Sequence, residues 1–188
     1  MKTRRTMLEA AAAVLLLAGL VACSGSGSST TGGILGGSTA AGETPLTVAI
    51  HDDPATQFTS AFVTFSSFEV HAVEGDWVSL DGTFPLTLDL LTLVDGKTAT
   101  LAADSIPAGS YDRIRMTVTG AEVTLLDGTS IAVTMPAGGV TIERSVEFTA
   151  VDGKPITITL DFPVGTSFRP LGMGWECEPA IAVESIKS

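Results

Sequence analysis

This chain has no asparagine, and Gln57 is its single glutamine. Side-chain amides donate and accept hydrogen bonds at once, so sites that orient sugars or bases lean on them. Any such site here must be assembled from Asp, Glu, Arg, Ser, Thr and backbone groups. Basic residues are few as well: 10 Lys and Arg against 21 Asp and Glu leave a net charge of −11. A surface that acidic repels phosphate backbones and anionic head groups, which counts against nucleic acid as a partner and against electrostatic adhesion to membranes. The two cysteines, Cys23 and Cys177, lie in no CxxC or His/Cys ligand spacing, so a structural zinc site is excluded. The apolar stretch Ala10–Leu20 is too short to span a bilayer. No ten-residue helical periodicity occurs after Thr44.

What is present begins with Lys2, Arg4 and Arg5, then the Ala/Leu/Val run, then Leu20-Val21-Ala22-Cys23. A basic start, an apolar middle and small residues before a cut make an export signal. With cysteine directly after the small residues, the segment resembles a bacterial lipoprotein signal. That resemblance implies lipidation of Cys23, which becomes the first residue of the mature chain and its link to a membrane. Residues 1–22 are then the signal peptide, and their loss moves the net charge from −11 to about −13. Residues 23–44 hold the lipidated cysteine and a Gly/Ser/Thr tether, with an r.m.s. span of roughly 25 Å. The expected location is the cell envelope, and the outer membrane if the source is Gram-negative, because Ser24 lacks the retaining aspartate. Cys177 is left unpaired, either as a buried thiol packing as a small hydrophobe or as an intermolecular or redox-active one.

From Pro45 the pattern has period two. Leu46, Val48 and Ile50 alternate, as does Ile156-Thr-Ile158-Thr-Leu160-Asp-Phe162. In Phe62–Val70 the apolar parity switches between Phe65 and Phe68, which predicts a bulge near Ser66-Ser67. Tyr111–Val118 places Arg113 and Arg115 on an outer face. Shorter strands are predicted at 77–80, 86–91, 122–126, 130–134, 140–142, 146–151 and 180–183. Asp-Gly recurs at Asp81, Asp95, Asp127 and Asp152, and is a preferred two-residue hairpin turn. Hairpins are clearest at Val123–Val133 and Phe148–Ile156. The fold class is all-β: one antiparallel β-sandwich of about eight to ten strands over residues 45–188.

Several local signatures then fall in a fixed order: Asp52-Asp53-Pro54-Ala55, Trp77-Val78-Ser79-Leu80, Leu88-Asp89-Leu90-Leu91, Ile106-Pro107-Ala108-Gly109-Ser110-Tyr111, Leu160-Asp161-Phe162 and Glu178-Pro179-Ala180-Ile181-Ala182-Val183. In that order, after that leader, they resemble the domain-of-unknown-function 4382 family of bacterial and archaeal lipoproteins, over Pro45–Val183. The resemblance implies a prealbumin-like or carbohydrate-binding-like sandwich. It lends fold and location, and no catalytic residues. In the Pro-Ala-Gly-Ser-Tyr segment, Pro107 fixes φ, Gly109 is expected at positive φ in a tight turn, and Tyr111 enters the next strand.

Four groups of residues are candidates for binding. Asp52 and Asp53 at a strand end either hold a hard cation such as calcium, weakly, or cap backbone amides before Pro54. Trp77 and Trp175, with Tyr111, either stack a sugar ring or cap an open end of the core. Asp89 and Asp161 need an arginine partner if inward; the alternation puts Asp161 outward, toward solvent or a surface arginine. His51 and His71 lie far apart and share no evident third ligand. No GxSxG, P-loop or GxGxxG frames a nucleophile or a nucleotide. The expectation is a non-catalytic, lipid-anchored body without cofactors, acting on an unknown protein or glycan partner or as an envelope component. The alternative is a cell-surface carbohydrate-binding or adhesion module.

Overall fold

The computed structural model describes residues Gly42–Ser188; the expected signal, Cys23 and all but the last residues of the expected tether lie outside the described residues. One sheet forms around β1 (Glu43–His51), whose Leu46, Val48 and Ile50 all point into the core. On one side β1 pairs antiparallel with β5 (Ala99–Pro107), and on the other it pairs parallel with β9 (Ile156–Asp161). Beyond β9 lies β12 (Ala182–Lys187), antiparallel. The parallel β1–β9 pair departs from the purely antiparallel expectation; it joins strands from opposite ends of the chain.

The second sheet is built on two long strands, β2 (Phe58–Ala72) and β6 (Gly109–Leu125), paired antiparallel along most of their length. β3 (Trp77–Ser79) and β4 (Leu86–Asp89) flank β2, while β7 (Ser130–Ala132) and β8 (Val140–Ala150) flank β6. A two-stranded ribbon, β10 (Phe168–Leu171) and β11 (Gly174–Cys177), covers one end. Among the described residues there are twelve strands, more than the eight to ten expected, and the helices are a 3-10 turn at Leu90–Thr92 and the four-residue α1 (Val164–Ser167). The all-β sandwich holds.

The sheets close over Phe65 of β2, which meets Phe162 edge-on at 6.2 Å between ring centres. Ile114, Met116 and Val118 of β6 face Ile156, Ile158 and Leu160 of β9 in the same core, all fully buried. Each such side chain contributes about 1.5–3 kcal/mol. The predicted bulge is present: the β2–β6 register steps from Phe65 to Ser67, so Ala61, Val63 and Phe65 point inward before it and Phe68 and Val70 after it. A matching step on β6 between Tyr111 and Arg113 turns Arg113 and Arg115 outward.

Other local signals resolve differently. Of the four Asp-Gly pairs, Asp127-Gly128 joins paired antiparallel strands, β6 and β7. Asp152-Gly153 carries the chain from β8 in one sheet to β9 in the other, so the hairpin expected at Phe148–Ile156 is a crossover. Asp81-Gly82 separates two strands that both pair with β2, and Asp95-Gly96 leads into β5. Asp-Gly fixes a local reversal; the apolar faces choose the partner. Gly109 is likewise not at positive φ, and Pro107–Tyr111 is a passage between sheets and not a tight hairpin.

The sandwich has two distinct ends. At the entry end, the Ala108 amide donates to the Gly42 carbonyl and the Gly153 amide to that of Glu43. Thr44 is fully buried there and its hydroxyl donates to the Val151 carbonyl, so the folded body takes in the last residues of the expected tether. The nine residues of β1 then carry the chain about 30 Å to the far end, at His51.

Candidate functional site

At the far end, His51, Asp52 and Asp53 close β1 beside Asp161, the last residue of β9. Strand alternation turns Asp52 inward, in step with Leu46, Val48 and Ile50, and it is only 2 % exposed. Its Oδ1 accepts the Val164 amide at 2.8 Å, while its Oδ2 is buried without a partner. Burial raises the Asp52 pKa to about 6; the Val164 amide and, more weakly, the Asp53 amide work against that, and the charges of Asp161 and Asp53 add to it. Asp53 is exposed on the opposite side of the strand. The two carboxylates expected to share a calcium ion therefore diverge. Among the described residues, no group of three or more His, Cys, Asp or Glu is placed to hold a metal ion. Capping is what Asp52 does, chiefly of an amide 112 positions away.

Asp161 lies opposite His51 across the parallel pair and opposite Ala182 on β12. It faces outward as expected and is half-exposed, yet its Oδ1 is buried without a partner. Burial raises its pKa, followed by the charge of Asp53; nearby His51 opposes this and Glu184 adds to it. His51 Nε2 is 3.0 Å from Glu184 Oε2. A cavity of about 410 Å³ opens here, with Asp52, Asp53, Asp95, Glu184 and the hydroxyl-bearing Thr98 and Thr159 on its wall. A larger one of about 540 Å³ lies at the entry end, beside Val73 and Pro107. Among the described residues, Asp52 and Asp161 carry the buried side-chain oxygens without partners, and both are at the far end.

Trp77 sits on the outer face of the second sheet, half-buried in a belt of paired charges. The Arg115 guanidinium lies 4.2 Å from its ring centre and that of Arg113 5.4 Å. Arg115 donates through Nε and Nη2 to Glu69, at 2.5 and 2.9 Å, and this pairing holds the Glu69 carboxyl below the usual carboxylate range. Arg113 reaches Glu143 at 3.1 Å. His71 packs edge-on to Trp77, with Nδ1 2.7 Å from Asp112, whose pKa that contact lowers. The indole thus acts as a platform for two arginines.

Trp175 packs edge-on to Phe58 at 4.9 Å and caps the far end of the core. Tyr111 is 2 % exposed, stacked on Phe148 at 5.0 Å, and its hydroxyl donates to the Pro107 carbonyl at 2.7 Å. Its ring is a lock on the passage between sheets and offers no stacking face, which corrects the sugar-binding reading of this residue. Trp77 and Trp175 sit near opposite ends of β2, roughly 40 Å apart along the strand. Cys177 is buried, and burial pushes its thiol up to about 12. Asp89 is half-exposed, and its partner is not an arginine: its Oδ1 accepts the Ala61 amide at 3.0 Å.

The burial of Asp52 was within reach of the sequence, since it shares parity with Ile50. The company of Asp161 was not, because the β1–β9 pairing joins segments more than a hundred residues apart. Comparison with curated proteins and with solved structures gives no match. The sequence profile of a family described as a domain of unknown function, DUF4382, matches residues 43–174, from the first residue of β1 to the start of β11. That match covers most of the chain and runs through both sheets, and the chain belongs to the DUF4382 family.

Proposed function

We propose that this chain is a non-catalytic body, anchored by lipid on Cys23 outside the cytoplasm, that presents its far end to a partner. The observation that carries this reading is polarity. The chain enters the body at Gly42, at one end of β1, and the unsatisfied carboxylates gather at the other, about 30 Å away. An anchor upstream of Gly42 would leave the acidic end the more distant from the membrane. Several acyl chains hold firmly, since each buried methylene adds roughly 0.8 kcal/mol. The net charge of −11 argues against nucleic acid and anionic lipid as the partner.

Three side-chain arrangements support a non-catalytic role. The Cys177 thiol is buried and pushed far above neutral pH. His71 is paired to Asp112, but Arg113 Nη2 lies 3.0 Å from the other ring nitrogen, where a nucleophile would have to stand. His51 is engaged by Glu184. The carbohydrate-binding alternative has less to rest on, because Tyr111 is covered, Trp77 carries Arg115 and Trp175 lies at the other end of the body. Growth with an alkyne-tagged fatty acid tests the anchor: the wild-type chain is expected to label and to partition with membranes, and Cys23→Ala to do neither. An unlabelled wild-type chain would overturn the reading.

A further inference from the structure

The β10–β11 ribbon ends in a tip that stands clear of the body. Leu171 pairs with Gly174, so Gly172 and Met173 form a two-residue turn. Gly172 has φ of +61° and Met173 is not at positive φ, so the turn needs glycine first and leaves its second position open to other residues. Ser, Asn or Asp serves there as well, and the turn itself does not call for methionine. A Cβ on Gly172 would meet nothing within 4 Å. Met173 is fully exposed, and Leu171 beside it is exposed too. Leu126, in the β6–β7 turn, is exposed at the same end: Leu125 before it lies opposite Phe58, on which Trp175 of the ribbon packs.

We propose that Met173 is the site at which peroxides modify this protein, and that the reaction leaves its fold standing. The Sδ lone pair attacks one oxygen of hydrogen peroxide, and the S–O bond forms as the O–O bond breaks. Sulfur gives up two electrons, the proton of the transferred hydroxyl passes to the departing hydroxide, and water leaves. The other sulfurs of the described body are screened from this attack. Met116 is fully buried on β6, and Met135 is half-buried against the core. Cys177 is buried, and its thiol, pushed up to about 12, holds back the reactive thiolate. Met173 is thus the one exposed sulfur among the described residues.

The product is a polar sulfoxide, which inside a core would disrupt packing. At this tip the side chain lies outside the core, so both sheets keep their contacts while an apolar projection at the far end becomes polar. The oxidant is consumed where it does no structural harm, and Met116 is spared. This inference does not depend on whether Cys23 carries lipid.

The test is a time course of the folded, full-length chain with hydrogen peroxide in peroxide-free neutral detergent, read by peptide mass spectrometry and thermal melts. Met173 should gain one oxygen at a rate within about fivefold of N-acetyl-methionine amide in the same mixture, and at least about tenfold faster than Met116. Met135 should also trail Met173, and in urea the three methionines should react alike. The chain oxidised at Met173 should melt as the untreated chain does. Met173→Leu should lose the fast uptake and keep the melt. Oxidation of Met116, Met135 or Cys177 as fast as that of Met173 overturns the proposal. So does a Met173 shielded beyond that fivefold margin, and so does a lower melting temperature when Met173 alone is oxidised. Failure of the fatty acid to label Cys23 would leave this result untouched.

Discussion

At the scale of the residue, Asp52 sets burial against charge. Ionised, it holds a full charge in the core end with Oδ2 unpartnered; protonated, it loses the charge and keeps Oδ1 on the Val164 amide. Its pKa rises from 3.8 to about 6, so the folded chain binds the proton more tightly than the unfolded one. The stability linked to that proton is fully present below pH 4 and is lost as pH rises through 6. The expected size is about 2 kcal/mol between pH 4.5 and 7.5. Glu69 and Asp112 have lowered pKa values, so their linked stability is lost only as pH falls below the carboxylate range, outside that window. Urea unfolding at pH 4.5 and 7.5 measures the difference. Wild type should be more stable at 4.5, and Asp52→Asn, which keeps an acceptor for Val164, should flatten the slope. An equal slope in the variant would place the effect elsewhere. Burial of this aspartate was legible, because it continues the parity of Leu46, Val48 and Ile50. Its missing donor was not, since that depends on α1 and β9 arriving from more than a hundred residues away.

At the scale of the element, what sequence periodicity reveals is the strand, and what it conceals is the neighbour. The β2 bulge was legible because Phe65 and Phe68 break parity while every residue around them remains strand-like. β5 was not, because its buried Leu101 and Ala102 are adjacent and break step, and between Ala102 and the buried Ile106 the strand reads Ala, Asp and Ser. Two glycines show how far turn chemistry can mislead. Gly109 reads as a turn residue, yet it is not at positive φ and a Cβ there would meet nothing within 4 Å. Gly139 sits in an unremarked loop, yet it has φ of +84° and a Cβ would strike the Val118 carbonyl. Gly109→Ala should therefore be neutral or stabilising by about 0.4–1 kcal/mol, through loss of freedom in the unfolded chain. Gly139→Ala should be destabilising by about 2 kcal/mol or more, from backbone strain and the collision together. Thermal melts of the two single variants decide it, and equal melting temperatures would remove the distinction.

At the scale of the whole molecule, the sandwich is closed by segments that sequence order would keep apart. β1 begins the body, β9 pairs with it in parallel, and β12 covers the outer edge of β9 with Val183 opposite Leu160 and Ile186 opposite Ile158. The DUF4382 match ends at Gly174, before this last strand. If the matched span were self-sufficient, a chain ending there would fold. The packing argues otherwise. Residues past Gly174 include Ile181, 1 % exposed, Cys177 in the core, and Trp175 against Phe58. The Arg144 guanidinium also donates to the Ile181 carbonyl, tying β8 of the other sheet to the same segment. Losing Ile181 and the half-buried Trp175 alone removes about 3–5 kcal/mol of burial, against the 5–15 kcal/mol that a domain typically has in total. The bared edge of β9 would add an unpaired row of backbone groups. A chain cut after Gly174 should thus lose its cooperative melt and gain dye-accessible apolar surface, while one cut after Lys187 should melt as wild type does. A sharp, wild-type-like transition in the shorter chain would show that β12 and β11 are accessories, and that the first sheet is complete with three strands.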